Sequence, residues 1–127
     1  MKKSGILNAE LLGAIGRLGH TDLVIVADCG MPAPRGVPVV DLALVRGIPR
    51  LEQVLDALLD EIIVERCVAA QELSATPAEK WLTDRFDDIQ RISHDELKTL
   101  SGSAKLFIRT GEATPFANAA LYCGVPF

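Results

Sequence analysis

The sequence predicts an α/β fold, a single three-layer α/β/α domain over residues 1–127 with a mainly parallel sheet and a mixed edge. Strand and helix patterns alternate along most of the chain, which is typical of βαβ units. Apolar residues make up 49% of the chain and aromatic residues only 5%, as expected for aliphatic parallel strands buried under helices. The last two strand patterns lie about six residues apart, too close for a parallel crossover. We therefore expect one antiparallel edge, or a chain that changes its position in the sheet.

The first half of the chain contains two strand patterns and two helix patterns. The strongest strand pattern is DLVIVAD, residues 22–28, because its central residues are apolar on both faces. A segment rich in Gly and Pro, residues 29–38, follows it as an ordered loop. The other predicted elements are a helix over residues 8–19 with Asn8 as N-cap and Gly19 after its end, a strand over 39–44 and a helix over 51–61.

The second half of the chain contains four strand patterns and two helix patterns. Thr76 is the expected N-cap of a helix over residues 76–88, with Pro77 in its first turn and Glu79 closing a capping box. Ser93 is the expected cap of a short helix over residues 93–102. The strands are predicted at residues 62–70, 89–93, 105–111 and 117–125.

Composition and charge exclude several function classes. The net charge of −4 argues against nucleic acid as a partner, because binding a phosphate backbone requires clustered Lys and Arg. No apolar run is long enough to span a membrane or to form a signal peptide, so we expect a cytoplasmic protein. Two histidines and three cysteines show no metal-ligand spacing, so no metal site is expected. A mean hydropathy of +0.25 favours an oligomer whose subunits cover apolar surface.

Two polar residues flank the strongest strand pattern. Asp28 follows the strand, where open α/β sheets bind ligands, and equally it could only hold the amides of Cys29 and Gly30. His20 precedes the strand; it suits proton transfer near neutral pH, and equally it could bond the last carbonyls of the preceding helix. Because the two lie roughly 20 Å apart along one strand, they can share a site only if the strand bends or two subunits pair.

Two further regions carry candidates for ligand binding. His94 opens the short helix and is either an exposed first-turn residue or a hydrogen-bonding ligand group. Phe116, Ala117 and Asn118 combine an aromatic ring with an amide, as sugar sites do, where the ring covers C–H groups and the amide bonds hydroxyls. Equally, Phe116 could be a core residue and Asn118 could close a turn.

Four segments together carry a resemblance to a known family. They are MKKSGILN at residues 1–8, RLGHTDLVIVADCGMPAP at 17–34, VVDLALVRGIP at 39–49 and IRTGEATPFANAALYCGV at 108–125. Their order and spacing resemble the ribose pyranase and fucose mutarotase family over nearly the full length of the chain. The specific part is GHTDxxxxxDxGxPxP followed near the C-terminus by GExxPxAN.

The resemblance implies an isomerase without a cofactor that interconverts the pyranose and furanose forms of D-ribose. It implies that His20 donates the proton and that the protein forms a homo-oligomeric ring, often a decamer, with sites at subunit contacts. The family's sugar-binding positions fall on Asp28, His94, Phe116, Ala117 and Asn118. The chain departs from the family at Phe116, where ribose pyranases usually carry Tyr, so the phenolic hydroxyl that could bond the sugar is absent.

Two alternatives stay open beside this interpretation. One is a mutarotase for fucose or another monosaccharide, although MKKSGILN and GEATPFAN are more similar to the ribose branch of the family. The other is a ring that binds sugar without catalysis, which the missing phenolic hydroxyl favours. Exchange rates measured on several sugars separate all three.

Overall fold

The computed structural model describes residues 1–127 and contains six strands and four α-helices. The strands are β1 (Leu23–Ala27), β2 (Val39–Asp41), β3 (Val64–Ala70), β4 (Ile89–Ile92), β5 (Leu106–Arg109) and β6 (Ala119–Cys123). The helices are α1 (Ala9–Ile15), α2 (Leu51–Leu59), α3 (Ala78–Thr83) and α4 (His94–Ser101), and a 3-10 helix covers Gln71–Ala75. All the predicted strands and helices are present, and the 3-10 helix is an addition to them.

The strands form one mixed sheet in the order β2-β5-β1-β6-β3-β4. β1 pairs in parallel with β5, β2 with β5 and β3 with β4, whereas β6 runs antiparallel to both β1 and β3. The mainly parallel sheet is therefore confirmed. Its antiparallel strand lies in the interior and not at an edge, so of the two alternatives it is the change of position in the sheet that occurs, from β5 past β1 to β6. β6 is almost wholly buried, and a central position gives it hydrogen-bonding neighbours on both sides.

Helices cover both faces of the sheet, which confirms the three-layer α/β/α architecture. On one face α1, α2 and α3 bury Leu11, Leu55 and Leu82 against β1 residues such as Val24. On the other face α4 alone packs Leu97 against alternate strand residues, including Phe107. Each fully buried Leu or Phe contributes about 1.5–3 kcal/mol to folding. None of the helices is long and apolar enough to cross a membrane.

Two of the four α-helices, α1 and α4, begin with a local side-chain cap. Asn8 accepts a hydrogen bond from the Leu11 N–H at 2.8 Å, which confirms it as the N-cap of α1. Ser93 and Glu96 form a reciprocal capping box at the start of α4, so the predicted cap Ser93 is also confirmed. α1 ends at Ile15, with Gly16 as its C-cap. It is therefore three residues shorter than predicted, since Gly19 was expected to follow directly after its end.

The capping box predicted at Thr76 and Glu79 is wrong. α3 begins at Ala78 with Pro77 as its N-cap, although the Thr76 hydroxyl still accepts from the Ala78 N–H at 3.2 Å. The Glu79 carboxylate turns away and binds both terminal nitrogens of Arg91 at 2.8 and 2.6 Å. A bidentate bond to a guanidinium is stronger than a bond to one backbone amide, so the distant partner prevails over the local one.

Candidate functional site

The carboxyl end of β1 carries a buried pair of a carboxylate and an amide. The Asn118 amide donates to Asp28 Oδ2 at 3.0 Å, and Asn118 Oδ1 accepts from the Asp28 N–H at 2.7 Å. Asp28 is 8% exposed and Asn118 is fully buried. Sequence reasoning placed both residues at a ligand site, and the structure brings them into direct contact.

Asp28 also holds the loop that follows β1. Its Oδ1 accepts from the N–H groups of Gly30 and Met31 at 2.9 and 2.8 Å. The predicted bond to Gly30 is therefore present, whereas the one expected at Cys29 falls on Met31. A carboxylate has about four acceptor positions, and the protein fills three, two on Oδ1 and one on Oδ2. Asp28 therefore keeps one acceptor position on Oδ2 for a hydroxyl group.

A second pair lies at the start of α4, where the ring of Phe116 meets the ring of His94. The ring centroids are 5.0 Å apart and the planes meet at 79°, an edge-to-face arrangement. The backbone N–H of His94 donates to both oxygens of the Glu72 carboxylate, at 3.2 and 3.0 Å. His94 Nδ1 is buried without a hydrogen-bond partner, and such a group costs stability unless a ligand satisfies it.

The triplet of Phe116, Ala117 and Asn118 joins these two pairs. Phe116 has a φ of +63°, a conformation that is rare for a residue with a bulky side chain. The Asn118 N–H donates to the Phe116 carbonyl at 2.8 Å, which closes a tight turn around the fully buried Ala117. This turn directs Phe116 towards His94 while Asn118 holds Asp28. Backbone strain of this kind persists where the surrounding structure fixes it and is common at functional sites.

A cavity of about 310 Å³ opens beside Asp28. This volume is at the lower end of the range for small-molecule sites, which suits a compact ligand. The cavity is lined by Asp28, Cys29, Gly30, Arg46, Glu112, Ala113, Thr114 and Pro115. Its walls therefore come from the loop after β1, the segment after β5 and the exposed side chain of Arg46.

His20 lies at the opposite end of β1 and is exposed. Its Nε2 is 3.0 Å from Glu65 Oε2, and the bond to the last carbonyls of α1 that sequence reasoning left open is not formed. Since β1 pairs with β5 and β6 in continuous register, no bulge bends it to bring His20 to Asp28. One chain thus carries two separate groups of candidate site residues, here called half-sites, with His20 in one and Asp28, His94, Phe116 and Asn118 in the other.

The contact with Glu65 selects the tautomer of the neutral His20 ring. An ionised carboxylate can only accept, so the proton of the neutral ring lies on Nε2 and Nδ1 is free to accept. Thr21, the next residue, has a φ of +68° and anchors its N–H on the Cys123 carbonyl at 2.8 Å. Thr21 and Phe116 are the only residues other than glycine with positive φ, and each adjoins or belongs to one half-site.

Sequence reasoning missed the carboxylates that hold the two histidines. Glu65 is 45 residues from His20, and Glu72 is 22 residues from His94. Neither forms a local motif with its histidine. The signal that could have found them is the acidic residue at each end of the β3 pattern, since β3 lies near both half-sites in the sheet.

Comparison with known proteins identifies the group to which the fold and these residues belong. The chain matches the RbsD / FucU transport protein family over residues 1–126. It belongs to this family. Among curated relatives in the RbsD / FucU family, the D-ribose pyranase of Cutibacterium acnes is 46% identical over 127 residues, and D-ribose pyranase 2 of Streptomyces griseus is 52% identical over 129 residues. Both alignments cover 100% of each chain.

Solved structures of the RbsD / FucU family share the fold described above. The structure of Bacillus subtilis RbsD complexed with D-ribose superposes with a TM-score of 0.94 at 44% identity, covering 100% of both chains. The fucose mutarotase of Streptococcus pneumoniae, in complex with L-fucose, gives a TM-score of 0.77 at 18% identity over 95% of both chains. The second likeness is a likeness of fold alone.

Proposed function

We propose that this member of the RbsD / FucU family is an isomerase that converts β-D-ribopyranose to β-D-ribofuranose and so supplies the furanose for ribose catabolism. Full-length relatives at 46% and 52% identity are D-ribose pyranases. The solved structure of B. subtilis RbsD, which is 44% identical, is complexed with D-ribose. The observation that carries the proposal is the Asp28–Asn118 pair, which presents a fixed carboxylate to a cavity of sugar size. No cofactor is required for this chemistry.

The half-site around Asp28 binds the sugar. The open acceptor position on Asp28 Oδ2 takes one sugar hydroxyl, and the buried Nδ1 of His94 bonds another. Phe116 places an apolar ring edge beside the sugar's C–H groups, and the buried Ala117 forms the turn that joins Phe116 to Asn118. Asn118 acts by holding the Asp28 carboxylate.

His20 moves the protons of ring opening and closure. When the C1–O5 bond of the pyranose breaks, the anomeric hydroxyl loses its proton and O5 gains one. On closure the transfer runs the other way. The O4 hydroxyl attacks C1 and loses its proton, and the anomeric oxygen gains one. One imidazole that gives and takes a proton at Nδ1 serves both steps, and positioned acid–base groups contribute about 10²–10⁴-fold.

The complete site is formed by two subunits of a homo-oligomer, for which we expect a decamer in the cytoplasm. Within one chain, His20 and Asp28 stand at opposite ends of an unbent strand, roughly 20 Å apart. The segment beside the sugar cavity exposes Leu44, Val45 and Ile48, by 77%, 57% and 53%. Exposed apolar residues grouped around a site favour coverage by another subunit.

Saturation-difference NMR on D-ribose tests this function, because it reports exchange between ring forms directly. The wild-type protein is expected to accelerate the exchange, and His20→Ala to lose about 10²-fold or more while keeping its circular dichroism and oligomer size. Glu10→Gln, an exposed carboxylate in α1, is the control and should match the wild type. Full exchange in folded His20→Ala contradicts the role of His20. Binding without acceleration by the wild type indicates a sugar-binding ring, and faster exchange of fucose than ribose indicates a mutarotase.

A further inference from the structure

Glu112 is a buried carboxylate that the chemistry above does not use. Its residue is only 3% exposed, yet its oxygens accept five hydrogen bonds from protein groups. Oε1 accepts from the Ala113 N–H at 3.2 Å and from the N–H and hydroxyl of Thr114 at 3.2 and 2.9 Å. Oε2 accepts from the Leu51 N–H at 3.2 Å and from Arg50 Nε at 3.5 Å.

These bonds connect the start of α2 to the segment that carries the sugar-binding triplet. Leu51 is the first residue of α2, so its N–H is one of the donors that a helix leaves without an internal partner. The positive end of the helix dipole favours a carboxylate at that place. Thr114 lies two residues before Phe116, so the carboxylate fixes the approach to the strained turn at Phe116.

The backbone of Glu112 is also tied to the loop that carries Asp28. Its carbonyl accepts from the Cys29 N–H at 2.8 Å. Its N–H donates to the Thr110 hydroxyl at 3.1 Å, and that hydroxyl donates to the Ala27 carbonyl at 2.8 Å. A shift of Glu112 would therefore displace both Asp28 and the triplet Phe116–Asn118.

The preceding residue packs this segment directly against the chain before α2. A Cβ placed on Gly111 would collide with the backbone of Ile48, so only glycine fits there. The Gly111 N–H donates to the Pro49 carbonyl at 2.8 Å. Because α2 and the residues before it form one support for the segment, a change at the Glu112 carboxylate is passed on to the site.

We propose that Glu112 is a positioning residue for sugar binding, whose carboxylate holds Asp28 and the Phe116–Asn118 turn at the separation that fits the sugar. This rests on the proposed function. Glu112 lines the cavity, but its carboxylate does not bind the sugar, because its oxygens are occupied by protein donors. It acts on the sugar-binding half-site alone, since His20 lies at the other end of the sheet. Its loss should therefore weaken binding and leave proton transfer at saturating sugar unchanged.

Glu112→Gln tests this, since an amide puts donor hydrogens where Leu51 or Thr114 already donates. We expect KM for ribose exchange to rise about tenfold with kcat within about twofold of the wild type, because a displaced Asp28 loses about one hydrogen bond to the sugar. The matched control Glu10→Gln should change neither constant. A purely structural role would instead lower kcat through loss of folded protein at constant KM, and that result, or an unchanged KM, overturns the proposal.

Thr114→Val is the second variant and decides the question if Glu112→Gln does not fold. It removes the hydroxyl that donates to Glu112 Oε1 at 2.9 Å and keeps the side-chain shape. We expect a smaller rise in KM, about threefold, again at constant kcat. An unchanged KM in the folded variant overturns the proposal. If the wild-type protein shows no exchange at all, the proposed function fails, and direct titration with D-ribose then tests Glu112 through the dissociation constant.

Discussion

Asp28 and Asn118 bind each other reciprocally although 90 residues separate them in the chain. Each side chain is buried, and the amide of Asn118 is the only protein partner of Asp28 Oδ2. Asp28 follows β1 and Asn118 precedes β6, which are antiparallel neighbours at the centre of the sheet. The geometry of the half-site around Asp28 therefore depends on the one strand that runs against the others.

Removing either member of this pair should destabilise the fold and weaken ribose binding. Asn118→Ala leaves the Asp28 N–H and Oδ2 unpaired in a buried place, at a cost of about 1–3 kcal/mol in the free energy of unfolding. A double-mutant cycle with Asp28→Ala, measured by urea unfolding at fixed protein concentration, should give a coupling of about 1 kcal/mol or more. Additive effects of the two substitutions on the free energy of unfolding would contradict a direct interaction between the two side chains. Asp41→Ala, which removes an exposed carboxylate bonded to Arg109, is the control and should leave ribose binding unchanged.

Glu65 should tune the rate and leave sugar affinity alone. Glu65→Gln keeps the shape of the side chain but removes the charge 3.0 Å from His20 Nε2. Since exposed charged contacts are weak, we expect kcat for ribose exchange to fall about two- to fivefold at constant KM. Glu61→Gln is the matched control, because Glu61 lines the same cavity as His20 without bonding to it. Equal effects of the two substitutions would show that proximity to His20 is irrelevant.

Adding a hydroxyl to the ring of residue 116 should tighten sugar binding. Phe116→Tyr adds one hydrogen-bonding group to the ring that already packs against His94. A net gain of about 0.5–1.5 kcal/mol corresponds to a dissociation constant for D-ribose lower by about two- to tenfold. Calorimetric titration measures it, with Phe107→Tyr in the buried core as a variant that should gain no affinity. An unchanged dissociation constant would place the ring edge of residue 116 away from the sugar.

Glu112 should make the fold sensitive to acid. Burial alone raises the pKa of Glu112, but the hydrogen bonds from Leu51 and Thr114 and the charge of Arg50 outweigh it and hold the pKa below its ordinary value of 4.5. The unfolded chain then binds this proton more readily than the folded one. The stabilisation is therefore present above the ordinary pKa and is lost as the pH falls through the folded one.

The difference in unfolding free energy between the wild type and Glu112→Gln should accordingly be large at neutral pH and shrink on acidification below about pH 4.5. Urea unfolding across this range measures it. Asp41 and Asp56 also have lowered pKa values, through hydrogen bonds from Arg109 and Arg85, but both carboxylates are at the surface. Added salt screens the surface charges of Asp41 and Asp56. It should leave the pH-dependent difference in unfolding free energy between the wild type and Glu112→Gln unchanged. A difference independent of pH would mean that charge at Glu112 does not stabilise the fold.

The sequence predicted the elements of the fold well because their signals are local. DLVIVAD became β1, and Ser93 and Asn8 cap their helices as their side chains allow. The place of β6 was not predictable in the same way, since it depends on pairing with β1 and β3 and not on its own residues. The failure at Thr76 has the same cause, because a distant arginine took the Glu79 carboxylate.

The candidate site residues also fall into those that short motifs predict and those that depend on contacts between distant parts of the chain. Asp28, Phe116 and Asn118 were predictable from short motifs at the ends of strands, and the structure brings them together. The carboxylates that hold the histidines, Glu65 and Glu72, were not, because each contact joins residues far apart in sequence. The separation of His20 from Asp28 was predictable, because strand length alone sets it.

Mixing two inactive variants tests whether two chains share one ribose site. His20→Ala removes the proposed proton donor, and His94→Ala removes a proposed sugar-binding group whose Nδ1 has no protein partner. If each site takes His20 from one chain and His94 from its neighbour, random co-assembly in equal amounts rebuilds about a quarter of the sites. Ribose exchange by saturation-difference NMR should then recover to about a quarter of the wild-type rate. A co-assembled mixture that stays as inactive as either parent would show that one chain supplies the whole site.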